Sequence, residues 1–141
     1  MKMRKGLLFL VMIILVAACR DDAAAASPAP LFPRQEYEPS EMMLALFSGE
    51  LTVVDDCLRA TDSDGNSILP IWPHDFSLYI QGDAVQILDG SGNLVAQVGD
   101  QLGIGGGEIP LWFARTKIDS TTQLILDACP GPYWLVGQVN Y

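Results

Sequence analysis

His74 is the chain's only histidine, so any Ser-His-Asp relay has to run through it. It stands in the run Trp72-Pro73-His74-Asp75. Asp75 is its neighbour, but adjacent side chains of an extended chain point to opposite faces, so adjacency alone builds no dyad. Neither a nucleophile elbow nor a zinc-protease H-E-x-x-H pattern occurs in the chain. An ordinary surface histidine is the expected reading, and no catalytic residue is assigned.

Two further clusters carry possible chemistry. In Asp62-Ser63-Asp64-Gly65-Asn66-Ser67, the side chains of Asp62, Asp64 and Asn66 put oxygens at alternate positions, as calcium loops do. The run departs from the EF-hand: glycine stands fourth rather than sixth, and Pro73 fills the place of the bidentate glutamate. An acidic β-turn is the expected reading, with a weak calcium site as its rival. Trp72, Trp112 and Trp134 are the second cluster, a candidate stacking platform for sugars. In so small a domain large aromatics are needed first to fill the core, and core is the expectation. The run Gly103-Ile104-Gly105-Gly106-Gly107-Glu108 lacks the lysine and helix of a phosphate loop. A bend or bulge in a strand explains its glycines. No cofactor is expected.

The three cysteines divide by position. Lys2, Arg4 and Lys5 precede an uncharged run over 6–18. That run is shorter than the about 20 helical residues a bilayer requires, and it has the form of a secretory signal. Leu15-Val16-Ala17-Ala18-Cys19 resembles the bacterial lipobox. The resemblance implies cleavage before Cys19, a diacylglycerol on its sulfur and often an amide-linked fatty acid such as palmitate on its new amino terminus. The chain is then anchored to a membrane without spanning it, outside the cytoplasm, in the cell membrane or an outer membrane. Lipid on Cys19 leaves Cys57 and Cys129, which an oxidising compartment and a small core both favour as a disulfide.

Without residues 1–18 the chain keeps five basic residues against seventeen acidic ones, a net charge of −12. Such a surface repels phosphate backbones, so nucleic acid is excluded as a partner. Residues 19–40 contain four of the nine prolines and are expected to form a flexible tether, with a compact domain over 41–141. Residues 40–49 read either as a helical turn capped by Ser40 or as a direct lead into the first strand, with the helical turn preferred. Short alternating strands are expected over 49–54, 57–60, 76–80, 84–88, 94–98, 101–104 and 133–141. Asp55-Asp56 and the glycine-containing runs at 81–83, 89–93 and 99–100 supply the turns between them. Residues 111–128 read as one crossover, with a helix over 119–126 as one possibility. The fold class is therefore all-β: a small, mostly antiparallel barrel or sandwich with one disulfide and short helical segments.

Cys57, Trp72-Pro73, Val95-Ala96-Gln97-Val98-Gly99-Asp100, the glycine run and Cys129-Pro130-Gly131-Pro132-Tyr133-Trp134 together are loosely similar to small secreted β domains of bacteria. The similarity implies no activity. The expected function is a lipid-anchored, non-enzymatic lipoprotein whose domain binds an envelope component or partner protein. A carbohydrate- or calcium-dependent binding module is the alternative, and a hydrolase comes third.

Overall fold

A computed structural model describes residues 28–38 and 43–140. Residues 1–18, Cys19 and the first part of the tether lie outside the described residues. The strands are β1 (Ala45–Val54), β2 (Cys57–Thr61), β3 (Ser67–Ile71), β4 (Ser77–Gln81), β5 (Ala84–Leu88), β6 (Leu94–Gln97), β7 (Gln101–Ile109) and β8 (Tyr133–Asn140). Helices α1 (Leu111–Lys117) and α2 (Gln123–Ala128) lie between β7 and β8. Five strands close into a barrel in the order β1-β2-β3-β8-β7, with β7 pairing back onto β1. Among the described strand pairs only β3–β8 is parallel. The other three strands form a separate antiparallel sheet, β4-β5-β6, inserted between β3 and β7.

Local chemistry explains the closure. Asp55 and Asp56 both have positive φ, 49° and 62°, and form the two-residue turn whose twist matches a right-handed hairpin. The hairpin pairs Val54 with Cys57 and runs in register to Glu50 and Thr61. Period-two alternation then sorts side chains to two sides of the wall. Leu58, Ala60, Ile68, Trp72, Trp134 and Val136 belong to the inner core. Cys57, Leu69, Ile71, Tyr133 and Leu135 belong to an outer core, together with Ala114, Ile118 and Leu126. Both faces of β2 and β3 are thus buried, which is why these strands are almost unbroken in apolar character. The inserted sheet adds Ile87, Val95 and Ala96 to the inner core.

The barrel bends where the glycines stand. The β7–β8 register shifts between Gly105 and Gly106, so the expected bulge is present. Gly106 has φ of +152°. A Cβ there would lie 1.9 Å from the Leu135 carbonyl oxygen and 2.9 Å from Trp134 Nε1. Glycine permits this close approach, and any larger residue collides with backbone.

The tether ends earlier than residue 40. Pro30, Pro33 and Gln35 are buried, and residues 31–35 bridge to Cys57, Trp72 and Ile118. The Leu31 carbonyl accepts from the Leu58 amide, and the Pro33 carbonyl accepts from the Trp72 amide. This strap therefore bonds to both β2 and β3, whose mutual pairing is confined to Ala60–Ile68 and Thr61–Ser67. Residues 45–49, expected in a helical turn, are the start of β1, because β7 offers a pairing edge from Ala45 to Glu50. Residues 40–42 of that expected turn lie outside the described residues.

Strand β3 was not expected, because Pro70 interrupts it. The Leu69 amide donates to Pro132 on the β8 side, and the Trp72 amide donates to Pro33 on the other side. Pro70 therefore has its missing N–H on the strap side, between the last β2 pair at Ile68 and the arrival of the strap at Trp72. There the lost donor breaks no ladder bond. The crossover holds two short helices rather than one.

Candidate functional site

The disulfide is formed as expected, joining Cys57 and Cys129 with Cα atoms 5.8 Å apart. It fastens the start of β2 to the loop after α2, on the outer face of the barrel. Arg59 continues that fastening. Its side chain is buried, and it donates to Ser67 Oγ at 2.9 Å and to the Pro130 carbonyl at 2.8 Å. Burial lowers its pKa from the ordinary value, but it keeps its charge at physiological pH. A buried arginine held by carbonyls and a hydroxyl organises the loop through residues 130–132, whose Gly131–Pro132 bond is cis. Sequence reasoning missed this role. The signal available was a lone arginine in the otherwise apolar run of β2.

The tryptophans do not assemble into a platform. Trp72 is 0% and Trp134 7% exposed, whereas Trp112 is 70% exposed. Trp72 is stacked between Phe32 and Phe76, with ring centroids 5.7 and 6.3 Å away. Trp134 packs at 5.8 Å from Phe47. Trp72 and Trp134 share a strand parity with the inner core, while Trp112 lies on α1 with Phe113 at its edge. The core expectation holds for two of the three, and a three-tryptophan sugar surface is ruled out by their separation into inside and outside.

The Asp62 loop is a turn that uses its own carboxylate. Asp62 Oδ1 accepts from the amides of Asp64 and Asn66 at 2.9 and 2.8 Å, and Oδ2 accepts from Asn66 Nδ2 at 2.8 Å. These donors hold the Asp62 carboxyl below its ordinary pKa, the Asn66 side-chain bond most of all. Asp89, Ser91 and Asn93 repeat the pattern: Asp89 Oδ1 accepts from the amides of Ser91 and Asn93, both at 2.9 Å. Asn93 Nδ2 donates to Asp89 Oδ2 at 3.1 Å. A motif that recurs in a second hairpin without the alternate-acid spacing is turn chemistry. In this geometry Asn66 turns its donor, not its oxygen, toward Asp62. Asp62, Asp64 and Asn66 thus do not converge as three oxygen ligands. Among the described residues no group of three or more His, Cys, Asp or Glu side chains is placed to hold a metal ion. His74 is exposed in the turn between β3 and β4, where the Phe76 amide donates to the Pro73 carbonyl.

No family model matches the chain, and neither a curated protein nor a solved structure does. In chain order the barrel strands run first-second-third-fifth-fourth around the wall. The outer face of β2 and β3 is filled by the strap, the disulfide, Arg59 and the α1–α2 layer, so the chain itself covers that face. Exposed apolar side chains remain on the β4–β6 sheet (Tyr79, Ile80 and Leu94), on the outer side of the helices (Leu111, Trp112 and Leu124), along and just before β1 (Leu44, Leu46, Val53 and Val54) and at Tyr37.

Proposed function

We propose that the chain is a lipid-anchored lipoprotein of a bacterial envelope and that its β domain is a non-catalytic binding module for a protein partner. The anchor rests on Leu15-Val16-Ala17-Ala18-Cys19 and the charged and apolar segments before it. The binding reading rests on one observation: β4 is an edge strand of an open three-stranded sheet, and its Tyr79 and Ile80 are exposed. An uncovered strand edge with apolar side chains is a template for strand addition by a partner segment. The barrel offers no comparable opening on β2 or β3, because its own chain occupies both faces.

Two measurements test this. Cys19→Ser should stop maturation or move the protein out of the membrane fraction, and normal fractionation and processing would remove the anchor. A photo-crosslinker at Tyr79 should give a discrete protein adduct in intact cells, which Ile80→Pro abolishes by breaking the edge. Absence of any adduct at Tyr79 and at Leu94, in a protein that is folded and anchored, removes the partner reading.

A further inference from the structure

The outer side of the helix layer combines features that the barrel core does not require. Leu111 and Trp112 stand on α1 and Leu124 on α2, with Trp112 70% and Leu124 75% exposed. The inward positions of these helices, Ala114, Ile118 and Leu126, complete the outer core, so stability does not need the outward three to be apolar. The basic groups beside them are turned to the same layer. Lys117 Nζ lies 4.6 Å from the centre of the Phe113 ring, and Arg115 pairs with Asp127. Residues 111–128 hold Arg115, Lys117, Asp119 and Asp127 as their only charges, a neutral stretch in a mature chain of net −12.

The tether enters on the same side. Leu31 packs against the outer core that the helices cover. Because the strap is part of the domain, twelve peptide steps separate Cys19 from Leu31, the first strap residue bonded to the barrel. Fully extended, they reach about 40 Å, and as a flexible coil roughly 19 Å. A domain held so close to a bilayer has to present one side to it. An anionic leaflet repels the acidic remainder, including the exposed Glu36 whose amide donates to the Lys117 carbonyl, and leaves the neutral residues 111–128 as the favoured side.

We infer that Leu111, Trp112 and Leu124 form a membrane-docking face, which seats in the headgroup region of the bilayer that holds the lipid on Cys19. The exposed indole suits that depth, with its ring in the acyl boundary and its N–H in the wet headgroup layer. Docking of this kind is shallow and reversible by itself, and the anchor makes it persistent by holding the local concentration high. The face rests on the anchoring reading. It also orients the rest of the domain, leaving other surfaces to partners.

The test uses the mature lipidated protein in vesicles of phosphatidylcholine and phosphatidylglycerol carrying lipids brominated near the headgroup. Trp72 and Trp134 are buried inside the barrel, so lipid quenching reports on Trp112. Brominated lipid is expected to quench part of the fluorescence, and Trp112→Phe is expected to lose that part. Leu124→Ser and Thr116→Glu, both at exposed positions, should weaken quenching without altering the barrel's circular dichroism. The face is overturned if Trp112 in floating, lipidated protein is quenched by aqueous acrylamide and not by brominated lipid. It is equally overturned if quenching survives Trp112→Phe. Failure of the anchor shows separately, as an unmodified Cys19 by intact mass and loss of flotation, and it takes the docking face with it.

Discussion

The side-chain amide of Gln35 donates to the carbonyl of Val136 at 2.7 Å, across 101 residues of chain. The same nitrogen donates to the Ile71 carbonyl at 3.1 Å. Ile71 is the last β3 residue paired with β8, at Leu135, so Gln35 ties the two strands together where their own pairing ends. It is one of two buried polar or charged side chains among the described residues, with Arg59. Each of the two joins an irregular segment to the barrel wall, Gln35 the strap and Arg59 the loop before β8.

Gln35→Leu keeps the volume roughly constant and leaves two buried carbonyls without that donor. The expected cost is about 1–3 kcal/mol. A lowered urea midpoint at unchanged slope is the signature, since compactness is preserved. An unaltered midpoint would mean that the strap is not part of the cooperative unit.

The disulfide encloses a separation of 72 residues. In the chain-entropy model its removal costs about 4 kcal/mol, a large share of the stability of a domain this size. Intact mass after alkylation without reductant should show no free thiol on Cys57 or Cys129. The Cys57→Ser/Cys129→Ser double variant should melt far below the parent, or fail to fold at 37 °C.

Legibility followed the periodicity of local signals. The Asp55-Asp56 turn, the hairpins around Gly82 and Gly92, the bulge in the glycine run and the Cys57–Cys129 pair were all readable, because each is set by residues within a few positions or by elimination. Strand β3 was hidden by Pro70, whose missing donor is harmless because it falls between the last β2 pair at Ile68 and the strap's arrival at Trp72. The strap was hidden for the reciprocal reason: Pro30 and Pro33 look like tether until β2 and β3 leave a gap for them. The first residues of β1 carry an unbroken apolar run that suits a helix as well as a strand, and β7 decides between them. Trp112 was grouped with Trp72 and Trp134 by residue type alone. Their separation depends on which strand parity faces inward and on the helix layer lying outside the wall.

Gly106→Ala tests the bulge. The new Cβ would meet the Leu135 carbonyl oxygen at 1.9 Å, and the φ of +152° adds backbone strain. Together these should cost on the order of 3 kcal/mol or more. Gly65→Ala is the control, because a Cβ there meets nothing within 4 Å. It retains only the penalty of its φ of +85°, about 1 kcal/mol. Equal losses in the two variants would show that strain alone, and not the approach of β8, fixes Gly106.

The paired aspartate turns give the acid response of the domain. Asp62, Asp89 and Asp119 all have carboxyls held below the ordinary value of 3.8. The leading causes are the Asn66 side chain for Asp62, the Asn93 amide for Asp89 and the Thr121 amide for Asp119. The unfolded chain lacks these donors and binds protons more readily, so it gains protons first as pH falls. Their stabilising contribution is therefore complete above 3.8 and is lost as pH drops through the depressed folded-state values. Melting temperature should fall on the acid side, and it should fall less steeply in Asp62→Asn/Asp89→Asn, which no longer titrates at those turns. At neutral pH the same variant should be the less stable protein, since an amide oxygen cannot replace both carboxylate acceptors. Calcium and magnesium at equal ionic strength should raise the melting temperature alike, in the parent and in Asp64→Asn, by screening an acidic surface. A calcium-specific rise that vanishes in Asp64→Asn would mean that the loop opens its turn to bind the ion.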